Sequence, residues 1–347
     1  MSKIIMALDQ GTTSSRTILY NEHGEAIASA NEEFPCQYPK PGWVEQNAED
    51  IWRSQKKTME AALLKAGLTL GDVAAIGITN QRETVVGWNK ETGEPVGKAI
   101  VWQCRRTADY CDQLKAEKFD TVIRRKTGLV TDAYFSGSKI RWIMRNISLA
   151  RELAGQGKLL FGTVDTWLIW KLTGGAVHAT DVSNACRTML FNIHEMRWDK
   201  EILDKLDIPM ETLPEVNPSS GILGTTDPSR FSHEVPIAGV AGDQQAALFG
   251  QACFEKGMAK STYGTGCFMV MNTGSEPIES PSGLLTTIAW QIGEQVTYAL
   301  EGSVFIAGAL MQWMRDDLGL FKDVNETEAM AQSIESTEGL YIVPAFV

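Results

Sequence analysis

The sequence predicts an α/β protein that opens with a ribonuclease-H-like unit, and three observations carry that expectation. The chain begins with short apolar runs joined by turns, which make an antiparallel meander. Apolar strands alternating with helical segments follow, whereas a doubly wound nucleotide fold would open as strand, helix, strand. Near Pro236 the pattern restarts, and beyond it the turn Gly264-Thr265-Gly266 echoes Gly11-Thr12-Thr13 as a faint internal duplication.

Taken in order, Ile4 to Leu8 is the first run, Asp9 to Ser15 a turn, and Arg16 to Tyr20 the second run. Asn21-Glu22-His23-Gly24 is a turn signal, and Ala26 to Glu33 resumes as a third strand. A helix follows. Asn47 suits its N-cap, because a short side-chain oxygen can accept a free first-turn N–H; Glu49 and Asp50 suit its positive end, and Gly67 stops it. Val73 to Ile78 and Ala99 to Trp102 read as strands, and Thr107 to Lys118, Gly137 to Asn146 and Asp165 to Leu172 as helices. After Pro236, Ile237 to Ala241 is a strand, Gly242-Asp243 a turn and Gln244 to Gly250 a helix. Met258 to Tyr263 and Cys267 to Met271 flank the Gly264 turn as strands. Ala345-Phe346-Val347 lies inside an apolar strand-like run, so a fragment of a longer chain is expected.

Of 347 residues, 44% are hydrophobic and 22% charged, which suits a folded chain of two domains. A formal charge of −11 argues against a nucleic-acid binder, since phosphate contacts along a duplex need clustered Lys and Arg. Arg105-Arg106 and Arg124-Arg125-Lys126 are short and expected on solvated faces. The six cysteines form no C-x-x-C pair and fit reduced thiols in a cytoplasm. No run approaches the ~20 apolar residues of a membrane-spanning helix, and the N-terminal run is too short for a signal peptide. A cytoplasmic protein without membrane insertion is the expectation.

Chemistry concentrates at strand ends. The turn from Asp9 to Arg16 places Gly at its bend, four hydroxyls in a row and then an arginine. Backbone N–H groups and hydroxyls there can converge on phosphate oxygens, Asp9 can hold Mg²⁺ or its waters, and Arg16 can pair with phosphate charge. The plain alternative, a polar hairpin turn, leaves the acid at the strand end unexplained. The Walker spacing and the protein-kinase signatures are both missing. Asp243 stands between a strand and a helix, where it is either a helix N-cap or a carboxylate that accepts the proton of an attacking hydroxyl. Arg82-Glu83 offers donors and an acceptor suited to a vicinal diol, and Trp102 could pack on a carbon skeleton. Singly these read as an ion pair and a core residue; they gain weight at matching ends of predicted parallel strands. His194-Glu195-Met196 and His233-Glu234-Val235 lack the second His of a zinc helix.

In this order the segments resemble the FGGY carbohydrate kinases, and within them those that act on glycerol. The resemblance rests on ALDQGTTSSR (7–16), GITNQRETVV (77–86), YFSGSKIRWIMRN (134–146), GTVDTWLIWKLTGG (162–175), DVSNACRTMLFNI (181–193), GVAGDQQAALFGQ (239–251) and TYGTGCF (262–268). It implies a duplicated ribonuclease-H-like fold of the actin/hexokinase ATPase type, with an N-terminal domain over 1–250 and the start of a second, incomplete domain over 251–347. It implies ATP-dependent phosphorylation of glycerol to sn-glycerol 3-phosphate, with Mg²⁺, and a homo-oligomer at full length. Arg82, Glu83, Trp102, Tyr134, Asp243, Gln244 and Phe268 would form the glycerol pocket, with Asp243 as general base. Thr12, Thr13, Ser14 and Arg16, opposed by Thr265, Gly266, Gly308 and Gln312, would bind the nucleotide. Asp9 and Asp243 would hold Mg²⁺ through water. The family pattern continues past Val347 by on the order of 100–150 residues, most of a domain. A sister kinase for another sugar or polyol, and a non-catalytic actin- or chaperone-like ATPase, are the competing expectations; the second would need neither the Arg82-Glu83 pair nor Asp243.

Overall fold

The computed structural model describes residues 3–264 and 266–343. Strands β1 (Ile4–Gln10), β2 (Ser14–Tyr20) and β3 (Ala26–Glu33) form the expected antiparallel meander, with Asp9 opposite Arg16. After the short β4 (Glu45–Gln46), α1 (Ala48–Ala66) begins where Asn47 accepts the Glu49 N–H and ends where Gly67 turns left-handed at φ 65°. Its buried stripe of Ile51, Met59 and Ala62 lies against the meander, each large apolar side chain contributing ~1.5–3 kcal/mol of burial. Then come β5 (Val73–Asn80), β6 (Val85–Asn89) and β7 (Ala99–Ile100).

The next stretch carries α2 (Ala108–Ala116), α3 (Asp120–Thr127), α4 (Ser136–Asn146) and α5 (Ser148–Gly155), followed by β8 (Leu159–Thr163) and α6 (Val164–Leu172). Short elements lead back to the sheet: β9 (Ala179–Asp181), α7 (Val182–Ala185), β10 (Phe191–Asn192), β11 (Arg197–Trp198), α8 (Lys200–Leu206) and β12 (Glu215–Asn217). β13 (Ser220–Thr225), α9 (Pro228–Phe231), β14 (Pro236–Gly242) and α10 (Asp243–Gly250) finish the first unit. The second holds β15 (Ala259–Tyr263), β16 (Cys267–Gly274), β17 (Leu285–Ile292), β18 (Gln295–Val304), α11 (Gly308–Asp316) and α12 (Glu326–Gln332).

One sheet runs through both units in the order β15-β16-β18-β17-β13-β14-β5-β1-β2-β3. Within it β14, β5 and β1 are parallel, β2 is antiparallel to β1 and β3 is antiparallel to β2, which is the ribonuclease-H-like arrangement read from the sequence. The β15–β16 hairpin repeats the β1–β2 hairpin in the second unit. One apolar cluster, with Met6, Leu8, Ile78, Trp88 and Trp167, fills the space between this sheet, α1 and α6. Another, with Val85, Phe135, Phe161 and Leu190, lies under the smaller sheet β4-β7-β6-β8.

Three expectations need correction. β7, which leads to Trp102, is antiparallel to β4 and β6 in the smaller sheet, so Trp102 does not end a strand parallel to β5. A local apolar run reveals a strand but not its partner. Arg106 is not solvated: its side chain is buried, pairs with Glu45 at 2.8 Å and lies over the Trp43 and Trp142 rings. Gly242, not Asp243, is the N-cap of α10; Asp243 is the first helical residue, although its carboxylate accepts the Gln244 N–H at 2.7 Å.

Candidate active site

The parallel strands β1, β5 and β14 stop together. Thr79 pairs with Asp9 on one side and with Ala241 on the other, and Asn80 pairs with Gly242. Asp9, the segment 81–83 and Asp243 therefore emerge at one edge, the carboxyl end where ligands of open α/β sheets collect. Arg82 is held there at φ 64°, a left-handed backbone that costs a non-glycine residue about 1–2 kcal/mol. Gly242 makes room for it: a Cβ on Gly242 would lie 2.8 Å from Arg82 Cγ and 2.9 Å from Cδ.

The Arg82 guanidinium is buried, and most of its N–H groups face acceptors. Nε lies 3.3 Å from Asp243 Oδ1 and 3.7 Å from Glu83 Oε1. Nη1 donates to Glu301 Oε2 at 2.7 Å, and Nη2 donates to Glu301 Oε1 at 3.2 Å and to the Tyr134 hydroxyl at 2.9 Å. Arg187 spans the two acids, its Nε 2.7 Å from Glu83 Oε1 and its Nη2 3.0 Å from Glu301 Oε1. Burial pushes the Glu301 carboxyl up, but Arg187 and Arg82 outweigh it and hold the group at about 2. Asp243 differs. Its side chain is 40% exposed to the cleft, and burial of its surroundings raises its pKa, with Glu83 adding to the rise and Arg82 opposing it.

Aromatic rings stand beside these charges. Trp102 meets Tyr134 edge-on at 5.7 Å between centroids and Phe268 at 6.3 Å, while Arg82 lies 5.8 Å from the Phe268 ring. A cavity of about 790 Å³ opens alongside, with Trp102, Tyr134 and Phe305 on its wall. Gln244 is buried, and its side-chain oxygen accepts from Lys260 at 2.5 Å and from Thr262 at 3.2 Å, which leaves its amide N–H groups to donate.

The first turn is built from beneath. Gly11 N donates to Ser14 O at 2.9 Å to close it; Ser15 donates to Gln10 at 2.9 Å, and Gln81 reaches Gly11 O at 3.3 Å. Gln46 donates to Thr12 O, and the Trp102 indole N–H donates to the Thr12 hydroxyl at 2.9 Å. Thr13 and Arg16 are left exposed. In the second unit, Gly264 N donates to Gly266 O at 2.9 Å, and Gly308 N, at the start of α11, donates to Gly264 O at 2.8 Å. A Cβ on Gly266 would lie 2.7 Å from Val304 O. Gln312 is exposed on α11, and Thr265 lies outside the described residues.

Asp9 and Asp243 feel each other. Burial raises the Asp9 pKa, the Asp243 charge raises it further, and Arg16 opposes both. Among the described residues, no cluster of three or more His, Cys, Asp or Glu side chains could hold a metal, and no helix is long and apolar enough to cross a membrane. Sequence reasoning passed over Arg187, Lys260 and Glu301. Arg187 lies within a quoted segment, but a lone arginine between Cys186 and Thr188 carries no spacing signal; Glu301 is a single acid in a strand, and only the fold reveals its partners.

Residues 4–250 match the N-terminal domain of the FGGY family of carbohydrate kinases, and residues 259–347 match its C-terminal domain. The chain is 61% identical over its whole length to a glycerol kinase of Caldanaerobacter subterraneus subsp. tengcongensis, covering 70% of that protein. It is 58% identical to a glycerol kinase of Bacillus cereus, again covering 70% of it. Among solved structures, Plasmodium falciparum glycerol kinase with ADP superposes with a TM-score of 0.91 at 35% identity, over 99% of this chain and 69% of that one. A gluconate kinase of Lactobacillus acidophilus shares the fold, with a TM-score of 0.83 at 22% identity over 96% of this chain and 66% of that one. The chain belongs to the FGGY family of carbohydrate kinases.

Proposed function

We propose that the protein transfers the γ-phosphoryl group of ATP to a terminal hydroxyl of glycerol, giving sn-glycerol 3-phosphate and ADP. The observation that carries this reading is the cleft edge itself: a half-open Asp243 carboxylate 3.3 Å from the buried Arg82, beside an aromatic wall and separated from the phosphate turn only by strand β5. Identity of 58–61% to glycerol kinases over the whole chain supports the same substrate.

In this mechanism Arg82, Glu83, Tyr134 and the Gln244 amide bind the hydroxyls, while Trp102 and Phe268 face the carbons and exclude water. Asp243 accepts the proton of the terminal hydroxyl as that oxygen attacks the γ-phosphorus and the bond to the β-phosphate oxygen breaks. The neighbouring guanidinium favours the ionised form the base needs, and burial keeps its affinity for the proton above that of a solvated Asp. Thr12, Thr13, Ser14 and Arg16 would hold phosphates from the first unit, and Thr265, Gly266, Gly308 and Gln312 from the second. The Gly308 N–H is already committed to Gly264, so Gly308 would act by allowing close approach rather than by donating. The mutual repulsion of Asp9 and Asp243 suits a divalent cation, and these two carboxylates would hold Mg²⁺ through water. When bound, Mg²⁺ neutralises phosphate charge. The six free thiols support a cytoplasmic location.

The test is a panel of polyols and sugars with ATP and Mg²⁺, run on the protein expressed from its complete reading frame and followed by phosphorus NMR. Glycerol 3-phosphate as the dominant product is expected. A pentulose phosphate in its place, or ATP hydrolysis without transfer, would overturn the reading.

A further inference from the structure

The polyol-binding pair Arg82 and Glu83 does not stand alone: it forms half of a buried cluster of two cations and two anions. Arg82, Glu83, Arg187 and Glu301 are each no more than 2% exposed. Glu301 binds both ends of the Arg82 fork, and Arg187 binds Glu301 and Glu83 together. Ser303 donates to Glu301 Oε1 at 3.2 Å, and its neighbour across the strand pair is Phe268, a wall of the pocket. Arg82, Glu83 and Arg187 belong to the first unit, whereas Glu301 arrives on β18 of the second.

Stability alone is a poor explanation for such a cluster. Buried ion pairs recover their desolvation cost only with good geometry, and apolar residues of similar volume often serve as well or better. What the cluster does supply is direction. Its charge sums to zero, it satisfies the Arg82 fork at fixed angles, and it fixes a residue whose backbone is itself in a left-handed conformation at φ 64°. Backbone strain at a ligand-facing residue persists only where the surroundings over-determine it, and the two-point contact with Glu301 does that.

We infer that Glu301 and Arg187 are positioning residues for the polyol site: Glu301, delivered by the second unit, orients the Arg82 guanidinium, and Arg187 locks Glu301 to Glu83. This rests on the proposed role of Arg82 and Glu83 in holding hydroxyls. Substrate recognition by the first unit is thereby made to depend on a residue of the second. Separating the units would strip Arg82 of two acceptors.

Two variants of the protein expressed from its complete reading frame test this. Glu301→Asp keeps the charge but withdraws the carboxylate by one methylene. Glu301→Gln combined with Arg187→Gln removes one charge of each sign, so the cluster stays neutral and the fold is not asked to hold an unpaired ion. In both, KM for glycerol is expected to rise about tenfold or more, the scale of one misplaced charge-assisted hydrogen bond, while KM for ATP stays within about twofold. A second readout needs no substrate: the Nε–H resonance of Arg82 should exchange slowly in the parent protein and rapidly in either variant. Parent-like KM for glycerol together with an unchanged Arg82 resonance in a folded variant would overturn the inference and leave the cluster purely structural. If the parent protein forms no glycerol 3-phosphate, the proposed function fails instead, and the Arg82 resonance still decides whether Glu301 orients it.

Discussion

The indole N–H of Trp102 donates to the hydroxyl of Thr12 at 2.9 Å, so a wall of the proposed polyol pocket and the bend of the proposed phosphate turn form one hydrogen-bonded unit. Thr12 also offers its carbonyl oxygen to Gln46, whose side-chain oxygen accepts from Gln81 at 3.1 Å next to Arg82 in sequence. Position at the proposed nucleotide site is therefore tied to position at the proposed acceptor site.

Trp102→Phe keeps an aromatic ring against Tyr134 and Phe268 but removes the N–H. Loss of one ordinary hydrogen bond, ~1 kcal/mol, predicts an ATP affinity several-fold weaker although Trp102 is not assigned to the nucleotide. Isothermal titration with a non-hydrolysable ATP analogue measures it. Unchanged affinity would mean that the bond does not order the turn.

Gly242→Ala should disturb the proposed acceptor site from behind. The added carbon would lie 2.8 Å from Arg82 Cγ, so the arginine must shift, and KM for glycerol should rise about tenfold with little change in KM for ATP. The Gly242 backbone is at φ −58°, so the effect would come from the contact and not from backbone strain. Steady-state kinetics with each substrate varied in turn reads the split.

Short-range chemistry in this chain is legible in its sequence, whereas long-range pairing is not. Local patterns located β1, β2, β3 and α1 closely, because Asn47 and Gly67 carry cap chemistry within a few residues of their partners. Acidic and hydroxyl residues at the ends of apolar runs marked Asp9, the Thr12 turn and Asp243 as candidates, and the parallel strands β1, β5 and β14 bring those ends to one sheet edge. Partnerships across long separations were hidden. The placement of β7 in the smaller sheet, the burial of Arg106 between Trp43 and Trp142, and the pairing of Glu301 with Arg82 and Arg187 all depend on which distant segments meet. Gly242 as cap was hidden for a different reason: Asp is a favoured N-cap, and only the backbone angles show that the helix begins one residue earlier.

Acid should weaken the fold through His178. Its ring stands edge-on to Trp88 at 5.5 Å and to Trp170 at 6.4 Å, its Nε2 is 2.8 Å from Phe161 O, and burial lowers its pKa from 6.5 to about 4. Between those values the unfolded chain binds a proton that the folded chain does not. Stability from this group is therefore complete above about pH 6.5 and is lost as pH falls towards about 4, by ~3 kcal/mol at most. His178→Gln, which keeps a donor for Phe161 O, should flatten the fall in urea midpoint over that range. An identical pH dependence in parent and variant would remove His178 from the acid response.

Asp243→Asn in the protein expressed from its complete reading frame tests the central claim most directly, with glycerol 3-phosphate formation followed at saturating glycerol and ATP. Loss of the general base predicts a fall in kcat of about 10²–10⁴-fold, with ATP binding close to that of the parent. The parent itself should lose kcat/KM for glycerol as pH falls through the raised pKa of Asp243, a dependence absent from the residual activity of the variant. Near-normal turnover by Asp243→Asn would contradict the assignment of Asp243 as the group that takes the hydroxyl proton.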